Sequence, residues 1–116
     1  MEKPSFVMDH VCINGQNHEE ATAIAQAIAS IFDLPVTQKP TSVYAGSGVE
    51  VAKADGPGTK GHIGFATPDI NAAVEYLEAK GVQLDYTRKK LTEDGRLRLI
   101  YLKNEVGGFA LHIIQK

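Results

Sequence analysis

The chain has one cysteine, a net charge of only −2 and no long apolar run, and each shortage closes off a class of protein. A single thiol cannot form an internal disulfide, which suits a reducing cytosol and sets aside disulfide-stapled secreted domains. So small a net charge makes no general field for nucleic acid, and any anion site has to be local. No stretch approaches the ~18 consecutive apolar residues of a membrane span, and "MEKPSFVMDH" contains no apolar signal segment. The expectation is a cytoplasmic protein with neither a nucleic-acid nor a membrane partner.

What is present describes a folded chain. Apolar residues make up 43% and charged residues 22%, enough to bury a core, and 116 residues suit one domain. "MDHVCIN" (8–14) reads as a strand. "NHEEATAIAQAIASIF" (17–32) reads as a helix, with Ile24, Ile28, Ile31 and Phe32 at helical spacing and alanines between them. Asn17 followed by Glu20 resembles a capping box, and Pro35 stops the segment. Extended pieces follow at "PVTQ", "SVYAG" and "GVEVAKA", and "DGPGTKG" (55–61) is a connector. The second half then repeats the order. "GHIGFAT" is a strand, and "PDINAAVEYLEAKG" is a helix capped by Thr67 or Asp69, with a stripe of Ile70, Ala73, Val74 and Leu77. "VQLDYTR", "RLRLIYL" and "GGFALHII" are strands. Strand–helix–strand–strand–strand, twice, is an internal duplication with modules at 8–54 and 60–115.

Side chains alternate between the two faces of a strand, so each strand can be divided. Val11 and Ile13, Val49 and Val51, Ile63 and Phe65, and Phe109, Leu111 and Ile113 form bulky apolar faces suited to packing under a helix. The opposite faces are thin, and each carries one residue of a metal-ligand type: His10, Glu50, His62 and His112. One such residue on an outer face is ordinary. Four in matched places of a duplicated unit point to a shared site.

The order of elements, and "GHIGFATPDINAAVEYLEAKGV" in particular, resembles the vicinal oxygen chelate superfamily of glyoxalases, bleomycin-resistance proteins and dioxygenases. The likeness runs from Asp9 to Ile114. It implies an α+β fold of two βαβββ modules forming an open, mostly antiparallel barrel-like sheet with helices on the outer face. It also implies a divalent metal held by His10, Glu50, His62 and His112. Where the family usually has a glutamate on the last strand, this chain has His112. Imidazole and carboxylate donors suit Zn, Ni, Fe or Mn and do not choose among them. The implied activity is that of a metal-dependent lyase, isomerase or epimerase acting on a small 2-oxo or 2-hydroxy compound. Adjacent oxygens would chelate the ion, and Glu50 would be the proton-transfer group. "GSGVEVAKADGPGTKGHI" and "IYLKNEVGGFALHI" resemble, more narrowly, a small domain associated with bacterial 4-hydroxy-2-oxoglutarate and 2-keto-3-deoxy-phosphogluconate aldolases. That likeness implies the alternative of a non-catalytic ligand-binding or accessory domain with an aldolase partner.

Three further residues are candidate substrate contacts. Cys12 shares the thin face of His10, although a small buried strand cysteine is the simpler reading. The basic stretch "TRKK" with Arg96 and Arg98 reads first as a solvated hairpin, Arg98 is the candidate clamp for an anionic substrate, and Tyr101 either lines the cleft or packs below it. Open sheet edges call for cover, and a homodimer is the expected assembly.

Overall fold

The computed structural model of the chain describes residues 2–116. Its elements run β1 (Val7–Asn14), α1 (His18–Phe32), β2 (Val36–Gln38), β3 (Ser42–Ala45), β4 (Val49–Ala52), β5 (Gly61–Thr67), α2 (Ile70–Ala79), β6 (Leu84–Leu91), β7 (Leu97–Leu102) and β8 (Phe109–Gln115). The fold is α+β and mostly antiparallel, and strands β1 and β4 pair in parallel. Two compact units divide the chain. One is His10–His62, and the other comprises the residues up to Asp9 together with Ile63–Lys116.

In the first unit the strands lie in the order β2-β3-β4-β1. Helix α1 starts where Asn17 Oδ1 accepts the Glu20 N–H at 2.8 Å, and Glu20 Oε1 accepts the Gln16 N–H at 3.2 Å. Such capping contributes on the order of 1 kcal/mol. The helix ends before Pro35, with Asp33 in the left-handed region at φ 56°. The stripe it buries differs from the one the isoleucine spacing predicts. Ala21, Ala25 and Ala29 are the buried residues, packed with Val43, Ala45 and Val51, while Ile24 and Ile28 flank them half-buried. Ile31 and Phe32 stand in solvent, 70% and 68% exposed. The small alanine row lets α1 lie close to the sheet, and a larger side chain at Ala25 would have to push the helix away.

This packing consumes only one face of the sheet. Val43, Ala45, Val49, Val51 and Ile13 meet α1. Tyr44, Glu50 and Cys12 align across β3, β4 and β1 at alternate positions, so they point from the other face. The start of β5 joins the same unit, because the Asn14 N–H donates to the Lys60 carbonyl at 3.0 Å. Gly61 comes so near that a Cβ there would lie 1.8 Å from the Cys12 carbonyl oxygen, and its φ of 146° suits only glycine.

In the second unit the order is β5-β8-β7-β6. Asp69, one of the two proposed caps, accepts the Ala72 N–H at 3.1 Å. The Ile70 N–H donates to Gln115 Oε1 at 2.8 Å, tying the start of α2 to β8. Ile70 and Ala73 pack on Leu84, Ile100 and Ile113, with Phe65, Val74 and Leu77 at the margin. A smaller cluster of Leu99, Tyr101 and Ala110, with Ile114 beside it, forms apart from that core. Strand β6 runs on to Leu91, further than "VQLDYTR" marks, with register irregularities against β7. No helix among the described residues is long and apolar enough to cross a membrane.

Gly61→Ala is expected to destabilise the protein by more than about 3 kcal/mol, since both the left-handed φ and the carbonyl contact oppose it. Gly48→Ala meets nothing within 4 Å and is expected to stay within about 0.5 kcal/mol of wild type. Urea unfolding of the two variants checks this, and equal stabilities would contradict it.

Candidate metal centre

Three strands of the first unit bring four donor side chains to the helix-free face. Strand β1 supplies His10 and Cys12, β4 supplies Glu50 and the start of β5 supplies His62. Parallel pairing sets Cys12 opposite Glu50. The Cys12 sulfur, a Glu50 carboxylate oxygen and a His62 ring nitrogen lie within 4.8 Å of one another. His10 Nε2 stands 3.3 Å from His62 Nε2 and 3.9 Å from Glu50 Oε1. The two imidazoles meet edge to face, at an interplanar angle of 87°.

These donors fit a divalent ion. Two imidazole nitrogens bound to one tetrahedral ion at ~2.0–2.1 Å sit about 3.3–3.4 Å apart, which the His10–His62 separation matches. The carboxylate supplies negative charge, and the side chains are shielded without being sealed off, since His10 and Glu50 are 14% and 18% exposed. Cys12, Glu50 and His62 open onto a cleft of about 330 Å³ that Thr41, Asp55 and Pro57 also line. Among the described residues no lysine or arginine lines it.

Burial pushes the Cys12 thiol up to about 12, and the Glu50 carboxylate beside it adds to the rise. Both act against the thiolate, the first by removing water and the second by like charge. The connector 55–61 forms the cleft wall, and Asn14 holds it there. Asn14 Nδ2 donates to the Gly58 carbonyl at 3.0 Å, and Asn14 Oδ1 accepts the Gly56 N–H at 3.3 Å. Thr41, Asp55 and this clamp escaped the sequence reading. Only the position of Asp55, three residues after the end of β4 and at the head of the Gly/Pro stretch, signalled it.

The other candidates belong to the second unit. His112 is buried on β8, opposite Tyr101 in the β7 register, with ring centroids 5.0 Å apart. The Arg88 guanidinium lies 4.7 Å from the Tyr101 ring centroid and pairs with Asp85 at 3.0 Å. Tyr101 is thus a buried packing partner of His112. Arg98 is exposed on β7 and lines neither this unit's cavity nor the cleft above. The basic cluster is partly neutralised by Arg88–Asp85 and Arg96–Asp94. The cavity of this unit, about 240 Å³, is walled by Phe6, Phe65, Leu77, Leu102, Leu111 and His112, with Ile113 between.

No protein-family model matches this chain, and no curated protein does. Solved structures share its fold. A hypothetical protein from Bacillus halodurans C-125 is 15% identical, with 97% of this chain and 95% of that one covered at a TM-score of 0.65. A methylmalonyl-CoA epimerase is 20% identical, covering 99% and 98% at 0.60. A Streptomyces coelicolor methylmalonyl-CoA epimerase in complex with 2-nitronate-propionyl-CoA is 15% identical, covering 94% and 96% at 0.61. The chain therefore has the glyoxalase-like fold that these epimerases share, over nearly its whole length.

The raised Cys12 pKa predicts a thiol that stays protonated in the metal-free protein through neutral pH. Native alkylation by iodoacetamide at about pH 8 is expected to run at least about a hundredfold slower than in urea. Because folding raises this pKa, the thiol's contribution to stability is complete below the unfolded value and is lost as pH rises toward about 12. Glu50→Gln removes the like charge and is expected to lower the Cys12 pKa, which a thiolate absorbance titration would read. An unchanged or higher value would contradict the assignment.

Proposed function

We propose that this chain is a divalent-metal enzyme of the lyase, isomerase or epimerase type, acting on a small 2-oxo or 2-hydroxy compound. The observation that carries the reading is the convergence of His10, Glu50 and His62 beside an open cleft, on the face that α1 leaves free. In this reading His10, Glu50 and His62 hold the ion, and the resemblance adds His112 as a further ligand. A bound divalent ion supplies Lewis acidity, drawing charge onto the oxygens of a chelating substrate. The donor set suits Zn, Ni, Fe or Mn.

The chain's own residues account for the remaining tasks. Glu50 has two carboxylate oxygens, and Oε1 is the one measured near His10. The second is the candidate to take the proton from the carbon beside the carbonyl and to return it. Epimerisation next to a carbonyl consists of that removal and return, with the proton restored on the opposite face. The epimerase names borne by structures of like fold agree with this class of step. His10 and His62 orient the carboxylate and the substrate oxygens. The connector, held by Asn14, bounds the volume that the substrate fills.

Protein purified without a histidine tag is expected to carry near-stoichiometric divalent metal, measured by elemental analysis. His62→Ala should lose it. The loaded protein should exchange solvent deuterium into one or more members of a panel of small 2-oxo and 2-hydroxy acids. Glu50→Gln should slow that exchange by about 10²–10⁴-fold. Bound metal with no exchange on any of the panel would leave a ligand-binding domain, and failure to bind metal would overturn the proposal.

A further inference from the structure

We infer that Cys12 is itself a ligand of the metal ion, its sulfur entering as thiolate beside Glu50 and His62. The inference rests on the metal reading above and adds a soft donor to it. Cys12, Glu50 and His62 come from three strands, and the donor atoms of all three lie within 4.8 Å of one another. No local sequence spacing produces this. It results from the β1–β4 register, which pairs Cys12 with Glu50, and from the close approach of Gly61 to the Cys12 carbonyl, which delivers His62.

Charge supports the assignment. The cleft has no lysine or arginine in its lining among the described residues, and Cys12 is only 2% exposed. A divalent ion held by Glu50 and neutral imidazoles leaves one uncompensated positive charge there. A thiolate at Cys12 cancels it, whereas Asp55 lines the same cleft but does not belong to the converging three. Binding is balanced as an exchange: the thiol loses its proton to solvent as the sulfur–metal bond forms, and no oxidation occurs. A sulfur, nitrogen and oxygen set favours zinc, cobalt, nickel or iron and discriminates against magnesium and calcium.

The test is a Co²⁺ titration of the metal-stripped, untagged, full-length protein. Cys12 is the chain's only cysteine, so a thiolate-to-cobalt charge-transfer band in the near ultraviolet has a single source. The band is expected to rise to a stoichiometric end point with proton release, to be displaced by Zn²⁺ and to be untouched by Mg²⁺. Cys12→Ser should abolish it and weaken Co²⁺ binding at least about tenfold. The wild-type spectrum does not depend on how well that variant folds, and Cys12→Ala provides a second check. Stoichiometric Co²⁺ binding without the band would overturn the Cys12 assignment and leave the metal reading standing. No stoichiometric Co²⁺ binding would overturn both.

Discussion

The approach of Gly61 to the backbone of Cys12 is the constraint on which the site depends. At a separation that no Cβ would allow, the start of β5 lies against β1, and His62 arrives beside His10. The Asn14 N–H bond to Lys60 secures the same junction, and the Asn14 side chain holds the connector that leads into it. Glycine is required there for two separate reasons, a left-handed φ and the carbonyl contact.

The sheet of the first unit divides its labour by face. Alternation sends Val43, Ala45, Val51 and Ile13 toward α1 and sends Tyr44, Glu50 and Cys12 the other way. The alanine row of α1 makes the first arrangement dense, so the stability of this half depends little on the second face. That leaves the second face able to hold a carboxylate, two imidazoles and a thiol close together, an arrangement that would be costly in a packed core. Burial and the Glu50 charge both hold the thiol proton, so in the metal-free protein the cluster favours a neutral sulfur. An ion would replace that proton with a stronger partner.

Much of the fold was legible in the chain. The doubled strand–helix–strand–strand–strand order, the Asn17–Glu20 cap and the Asp69 cap could be read because each depends on near neighbours in sequence. The thin strand faces singled out His10, Glu50, His62 and His112, and the first three, which share one unit, lie together. The buried stripe of α1 was misread, since isoleucine and alanine both satisfy helical periodicity and only the spacing to the sheet selects the smaller residue. The basic stretch reads first as a solvated hairpin, with Arg98 a clamp only for an anionic substrate, and Arg98 stands exposed and lines neither of the two cavities described above. Alternation gives a side chain's face and not its distance from anything.

The sequence by itself determined which residues share a strand face, where helices begin, and that four metal-ligand types fall on thin faces. These follow from a period of two in strands and from capping chemistry a few residues long. Only the tertiary structure decided that Cys12 and Glu50 are register partners, that Gly61 brings His62 to them, and that the connector walls the cleft. Register and close backbone approach join residues about forty to fifty positions apart, and no local pattern in the chain encodes such a distance.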